Sequence, residues 1–567
     1  MTSLSVWAPA AGQVQAVVGG DRRPLDRATT GWWRLPGDVP HGTDYAFLPD
    51  GDDTPLPDPR SRWQPHGVHG PSRVYDHHRF TWTDAGWRGV ALPGALFYEL
   101  HVGTFTPEGT LDAAATRLDH LVSLGVDLVE LMPVGAFPGE HGWGYDVAHP
   151  FAVHEPYGGP DALKRFVNGC HARGLGVALD VVYNHLGPSG NNLSRYGPYF
   201  TDRHQTPWGA AVNLDDEGSH EVRRWVVDNA LMWLRDFHVD ALRLDAVHAL
   251  ADDSAEHLLA QLSREVDALS AHLRRPLTLV AESDLNQPAM VAPLDCGPPA
   301  RGMAAQWSDD FHHALHTLLT GEGEGYYADF AADPYDALAR TLTGAFFHAG
   351  TWSSFRGAGH GAVVDVARVP AYRFLGYLQD HDQVGNRATG DRITASVSPG
   401  LVRVGSALVL TSPFTPMLFM GEEWAASTPW QYFTDHQGPQ LAEAVRAGRR
   451  REFAAHGWSG SDVPDPQDPA TFERSKLDWS QVAVGSHAEM LSWHRQLVAL
   501  RRAEPELSDP WLDRVAVTAD AAARTVVVHR GSLRVVCNLA PQPRDVPLDG
   551  EVGSVLLSSA EQTPGAG

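Results

Sequence analysis

Eight apolar runs of strand length, spread over residues 95–423, constrain this chain more than any other feature. They read "ALFYELHVG" (95–103), "VDLVELMPV" (126–134), "GVALDVVYNH" (176–185), "VDALRLDAV" (239–247), "LTLVAESD" (277–284), "GMAAQWSDD" (302–310), "FLGYLQDHDQ" (374–383) and "FTPMLFMGEE" (414–423). Helical segments separate them, as in "SHEVRRWVVDNALMWLRDF" (219–237), where Val222, Val226, Leu231 and Leu234 recur at helical spacing. Strand–helix alternation implies a parallel sheet, and eight such units close a (β/α)8, or TIM, barrel. Nearly every run ends in polar or acidic residues: Asn184 and His185, Asp245, Glu282, Asp309 and Asp310, Asp382, Glu422. The strand C-termini of such a barrel form the face that carries chemistry.

The flanks follow a different period. Short alternating segments, "QVQAVVGG", "GWWRL" and "DYAFL", are separated by Gly, Pro and Asp and predict an N-terminal β-sandwich over residues 1–90. Within it "GDDTPLPDPRSRWQPHGVHGPS" (51–72) is too rich in Pro and Gly for regular structure and reads as a connector. The barrel with its insertions is expected over 91–505, ending in the helix "HAEMLSWHRQLVALRR". Alternation returns in "DRVAVTADAAARTVVVHRGSLRVVCNLA", predicting a C-terminal β-sheet domain over 506–567.

A formal net charge of −25 argues against nucleic acid or an anionic membrane surface as partner, since both need a basic footprint. The 18 Trp and 14 Tyr suit a carbohydrate, whose apolar faces stack on aromatic rings, but equally suit a core. Cys170, Cys296 and Cys537 lie far apart and form no disulfide framework, so a reducing, cytoplasmic setting is expected. The start "MTSLSVWAPA" has no leader pattern and no run is apolar enough to span a membrane.

Within "HVDALRLDAVHAL" (238–250), strand alternation puts Leu242 and Leu244 on one face, Arg243 and Asp245 on the other. Together with Glu282 and Asp382, Asp245 stands at the end of one of three different barrel strands. Retaining cleavage of a glycosidic bond needs one ionised and one protonated carboxyl. Arg243 favours Asp245 as the anion. Glu282 follows the apolar "LTLVA" with no cation adjacent in sequence, so desolvation keeps it protonated. This assigns Asp245 as nucleophile, Glu282 as acid/base and Asp382 as a grip on sugar hydroxyls.

"DVVYNH" (180–185), "LRLDAVH" (242–248), "VAESD" (280–284) and "QDHDQ" (379–383) resemble, in order, the four characteristic regions of the α-amylase superfamily of glycoside hydrolases. The likeness spans about 90–505. It implies Asp245 as nucleophile, Glu282 as general acid/base, Asp382 as transition-state stabiliser and Arg243 as partner of the nucleophile. It further implies His185 and His381 as sugar-hydroxyl ligands, Tyr145 of "GWGYD" as an aromatic platform, and Asp180 and Asn184 as structural residues beneath the site.

In calcium-dependent members the residue matching Asn184 is a metal ligand. Here the following "LGPSGNNLSRYGPYF" offers few acidic side chains, so no metal is expected, and no other cofactor either. At His248 many α-amylases have Lys followed by His, whereas Ala249 follows here, which weighs against plain starch hydrolysis.

"PDPRSRWQPHGVHGPS" (57–72), "AAQWSDDFHHALH" (304–316), "WQYFTDH" (430–436) and "DPQDPATFERSKLDW" (465–479) look more like the maltooligosyltrehalose trehalohydrolase family. That likeness implies hydrolysis of the α-1,4 bond next to the terminal trehalose of maltooligosyl trehalose, and a metabolic link to a maltooligosyltrehalose synthase. His248 joins the candidate substrate ligands. Trp208, Trp307 and Asp310 are candidates for the trehalose end, though packing or helix capping would also explain them. The alternatives are a glycogen-branching-type glycosyltransferase of the same architecture and a non-catalytic glycan-binding barrel.

Overall fold

The computed structural model describes residues 2–51, 53–454, 463–549 and 553–560. The tail of the expected C-terminal domain, 550–552 and 561–567, lies outside them.

Two antiparallel sheets form the N-terminal sandwich. One orders Thr2–Trp7, Trp32–Val39 and Asp26–Arg27; the other orders Asp21–Pro24, Val14–Val18, Asp44–Pro49 and Ser72–Arg73. Val14, Ala16 and Val18 alternate inward to meet Leu4, Val6, Trp33 and Phe47, the period-2 pattern of a half-buried strand. The Pro-rich connector is irregular as its composition demands, yet it is not a free tether. Its Pro59 carbonyl accepts from Trp225 Nε1 (3.0 Å), Arg60 pairs with Asp228 (2.7 Å), and Trp63 Nε1 donates to Glu155 (2.8 Å). Pro and Gly set the backbone path, while side chains of the barrel helices anchor it.

Each of the eight runs contains a barrel strand: Phe97–Leu100 (β1), Leu128–Leu131 (β2), Gly176–Val181 (β3), Ala241–Leu244 (β4), Thr278–Ala281 (β5), Ala305–Trp307 (β6), Phe374–Gly376 (β7) and Thr415–Phe419 (β8). All pair in parallel, and Met417 of β8 faces Phe97 of β1 to close the ring. Alternation then sorts the interior into layers. Phe97, Leu128, Ala178, Ala241 and Val280 fill an apolar lower layer. Two residues on, with the same parity, come Glu99, Glu130, Asp180, Arg243 and Glu282. Leu242 and Leu244 point outward into the helical shell with Trp225, Val226 and Leu234. The helix Ser219–Asp236 buries these last three completely or nearly so.

Residues 82–90 are clamped under the barrel's other end. Trp82 stacks on His238 (centroids 3.8 Å apart), and Asp84 is 2.8 Å from both His238 and His171. His171 also contacts Asp240 (2.9 Å), which accepts from Arg275 and Trp87. At the other end of the chain, Val515–Asp520, Thr525–Arg530 and Leu533–Asn538 form an antiparallel sheet. Its Val526 and Val528 pack with Leu338 and Leu342 of the helix Pro334–Gly344.

Candidate active site

At the strand C-termini a cleft of about 760 Å³ is lined by Asp245, Glu282, Asp382, Tyr145, His185 and His248, among others. Parity explains the first two. Asp245 and Glu282 follow β4 and β5 in register with inward Arg243 and Val280, so both emerge over the pore. Asp382 is the second residue of the short helix His381–Gly385 after β7; its side chain is the most exposed of the three, at 38%.

Arg243, fully buried, organises the floor. Its Nη1 donates to Asp180 Oδ2 (2.7 Å) and Asp245 Oδ1 (2.9 Å), and its Nη2 lies 2.9 Å from Glu282 Oε2 without hydrogen-bond alignment. No cation is adjacent to Glu282 in sequence, but such adjacency could not reveal a guanidinium reaching across from the neighbouring strand. Burial nevertheless pushes the Glu282 carboxyl well above its ordinary range; Arg243 opposes this and the charges of Asp245 and Asp382 reinforce it. Ala246 N–H also donates to Oε2 (2.7 Å), from a left-handed backbone (φ 40°) unusual for a residue with a Cβ. With Oε2 accepting the Ala246 N–H and lying against the guanidinium, a carboxyl proton belongs on Oε1.

Asn184 Nδ2 donates to both the main-chain oxygen and Oδ2 of Asp245, each at 2.8 Å, so its amide orients that carboxylate. Tyr145 donates to Asp180 Oδ2 (2.6 Å), meets His381 Nε2 (2.8 Å), and stacks on the His381 ring. His185 lines the cleft, but its nitrogens face Asn184 Oδ1 and the Tyr145 carbonyl while its ring stacks on Trp208 (4.6 Å, 9°). His248 Nδ1 sits 3.6 Å from Asp284. Neither His185 nor His381 aims a free nitrogen at the cleft in this state.

Asp310 is a correction. Expected as a substrate ligand, it is 7% exposed and lies outside the cleft, its Oδ2 accepting from Asn286 Nδ2 and the main-chain N–H groups of Phe347 and His348 at 2.7–3.0 Å. It stands in the first turn of the helix Asp309–Thr320 and bonds elsewhere, which the run "SDD" cannot convey. Trp307 is likewise buried, its ring 4.3 Å from the Arg243 guanidinium.

Several neighbours carried no signal strong enough to single them out. Glu99 of β1 holds His381 at Nδ1 (2.5 Å) and at its main-chain N–H (3.0 Å); a Glu inside "ALFYELHVG" with the parity of the pore was the available clue. Asp284 pairs with Arg356 (3.1 Å) from the loop joining Thr351–Ser353 to Ala358–His360. Phe355 beside it is 58% exposed and meets Tyr326 edge-on.

A metal has one candidate grouping among the described residues. His204, Asp215 and Asp253 bring ligand atoms within 4.8 Å of one another. Three such atoms fall short of the six to eight oxygens calcium takes, and Arg203 already lies 3.5 Å from Asp253.

Residues 71–202 match the family described as "Alpha amylase, catalytic domain", and 510–567 match a domain of unknown function, DUF3459. The malto-oligosyltrehalose trehalohydrolase of Arthrobacter ramosus is 54% identical over 99% of this chain and 96% of its own length. That of Rhizobium sp. (strain M-11) is 52% identical over 98% and 94%. The chain belongs to the malto-oligosyltrehalose trehalohydrolase family. An alpha-amylase-type crystal structure from Salmonella typhimurium superposes with a TM-score of 0.89 at 38% identity, covering 96% of this chain and 93% of that one. This trehalohydrolase-family chain is thus a glycoside hydrolase of the α-amylase kind, and the branching-transferase and non-catalytic readings are not favoured. Among its described residues no helix is long and apolar enough to cross a membrane.

Proposed function

We propose that this protein hydrolyses the α-1,4-glucosidic bond adjacent to the terminal trehalose of maltooligosyl trehalose, with retention. The observation that carries the mechanism is one guanidinium shared by two carboxyls: Asp245 and Glu282 occupy adjacent nitrogens of Arg243. Such a close-set pair suits double displacement, whose carboxyls stand about 5–5.5 Å apart, rather than inversion, which leaves room for a water.

Glu282, held protonated by burial, gives its Oε1 proton to the leaving trehalose oxygen as Asp245 attacks the anomeric carbon. The C–O bond breaks and a glycosyl–Asp245 ester forms. The Glu282 carboxylate then takes a proton from water, whose oxygen releases the maltooligosaccharide and restores Asp245. Asp382 stabilises the oxocarbenium-like transition state, and Tyr145 underlies the sugar that donates the bond. The leaving disaccharide belongs on the Glu282 side, bounded by His248, Asp284 and Arg356. The α,α-1,1 linkage must be made from a reducing maltodextrin end, so a maltooligosyltrehalose synthase is the metabolic supplier, in the cytoplasm.

The test is incubation with maltotriosyl trehalose and, separately, with maltopentaose. Rapid release of free trehalose with much slower cutting of maltopentaose is the expected result. Equal cutting of both would make it a general α-1,4-glucanase, and longer or branched products a transferase.

A further inference from the structure

Tyr145 has a single proton to give, and its partners fix where that proton goes. Asp180 Oδ2 already accepts from Arg243 Nη1 (2.7 Å) and lies 2.6 Å from the Tyr145 hydroxyl, so the phenol donates to Asp180. The hydroxyl oxygen must then accept from its other neighbour, His381 Nε2 at 2.8 Å, which requires a proton on that nitrogen. The opposite nitrogen, Nδ1, is 2.5 Å from Glu99 Oε1, while Glu99 Oε2 accepts the His381 main-chain N–H at 3.0 Å. Both groups are 1% exposed, so water cannot solvate the carboxylate in place of the imidazole.

We propose that Glu99 is a positioning residue for the reaction: it holds His381 as a doubly protonated imidazolium, which orients the Tyr145 hydroxyl and, through Asp180 and Arg243, the carboxylate of Asp245. The inference rests on the roles assigned above to Asp245 and Tyr145. The hydrogen bonds then run in one sense, from His381 to Glu99 on one side and from His381 through Tyr145 to Asp180 on the other, with Arg243 donating to both Asp180 and Asp245.

The charged groups packed around the ring agree with this. Asp382 Oδ1 is 3.7 Å from Nε2, and Asp380 precedes the histidine in the same turn. Burial opposes the imidazolium, but Glu99 and then Asp382 raise it to about 10, with Asp380, whose own carboxyl burial and the Glu99 charge push well up, the smallest contributor of the three. Glu130, opposite Glu99 on β2, has no hydrogen-bond partner for either oxygen; burial and the Glu99 charge push it far up, so it is neutral and does not compete for the imidazolium. His101, also buried, is pushed down to about 3 by burial and stays neutral.

The experiment compares wild type, Glu99→Gln, Glu99→Asp and Glu130→Gln by ¹⁵N-imidazole NMR and by kinetics on maltotriosyl trehalose between about pH 6 and 9. His381→Gln identifies the His381 signals by difference. Expected are imidazolium signals for His381 throughout in wild type, Glu99→Asp and Glu130→Gln. In Glu99→Gln the ring should titrate within the range, and kcat should fall roughly ten- to hundred-fold at the alkaline end, recovering toward low pH, as loss of one charged hydrogen bond predicts. A neutral His381 ring in wild type at pH 7 would overturn the proposal, as would a folded Glu99→Gln with wild-type titration and pH profile. Should Glu99→Gln fail to fold, the wild-type and Glu99→Asp spectra decide. Wild type inert toward the substrate would sink the proposed reaction instead, while the ring titration would still judge Glu99.

Discussion

The guanidinium of Arg243 lies 2.9 Å from Glu282 Oε2 while its other terminal nitrogen donates to Asp245 Oδ1 at 2.9 Å. One buried cation thus meets both carboxyls of the proposed reaction. Beside Glu282 it opposes, without overcoming, the burial that pushes that carboxyl well above its ordinary range.

Removing either carboxyl should therefore abolish turnover without unfolding the barrel. Glu282→Gln is expected to lower kcat by roughly 10²–10⁴-fold and Asp245→Ala by at least as much. Far-UV circular dichroism and an unchanged melting temperature would exclude misfolding. Wild-type-like kcat in either folded variant would refute the assigned roles.

The pH–rate profile should show an alkaline limb that belongs to Glu282, since only its protonated form can donate to the leaving oxygen. The charge of Asp382 helps raise Glu282. Asp382→Asn removes that like charge, so the limb in its residual activity should move to lower pH. A limb that stays put or moves up would show that Glu282 is not the titrating acid.

His171 bridges Asp84 and Asp240 at 2.8 and 2.9 Å with its side chain fully buried. Burial opposes its charge, but the hydrogen bonds it donates to the Asp240 and Asp84 carboxylates raise it above 6.5. The stability it contributes is complete below about pH 6.5 and is lost as pH rises through its higher folded value. His171→Ala should cost about 1.5–3 kcal/mol, the worth of a hydrogen bond to a charged group, since His238 still pairs with Asp84 and Arg275 with Asp240. Melting temperature should fall from pH 6 toward 9 more steeply in wild type than in the variant, a contrast that differential scanning calorimetry would measure. Parallel curves would remove His171 as the cause.

Trp208, at the turn between Phe200–Thr206 and Gly209–Val212, is half exposed while one face stacks on His185. Its open surface lines the cleft and suits a sugar face. Trp208→Ala should raise KM for maltotriosyl trehalose about five- to ten-fold, the worth of roughly 1–1.5 kcal/mol of stacking, with kcat within about two-fold. An unchanged KM would make the ring a mere cover for His185.

The sequence by itself determined the barrel and its chemical end. Eight apolar runs alternating with amphipathic helices permit little else, and period-2 parity put Arg243 and Asp245 on one shared face, opposite Leu242 and Leu244, before any coordinates. Asp382 and Glu282 were legible for the same reason, as carboxyls at the ends of strands. Tertiary structure alone decided what each carboxyl touches. It turned Asp310 away to cap the backbone of residues 347 and 348, brought Arg243 across to Glu282, and set Glu99 against His381, 282 residues further along the chain. It also converted the Pro-rich segment from a connector into a bonded joint through Pro59, Arg60 and Trp63. Local patterning reports which face a side chain takes because strand and helix periods are properties of the backbone. Which groups meet across the pore depends on barrel closure and register, and no sequence period encodes that.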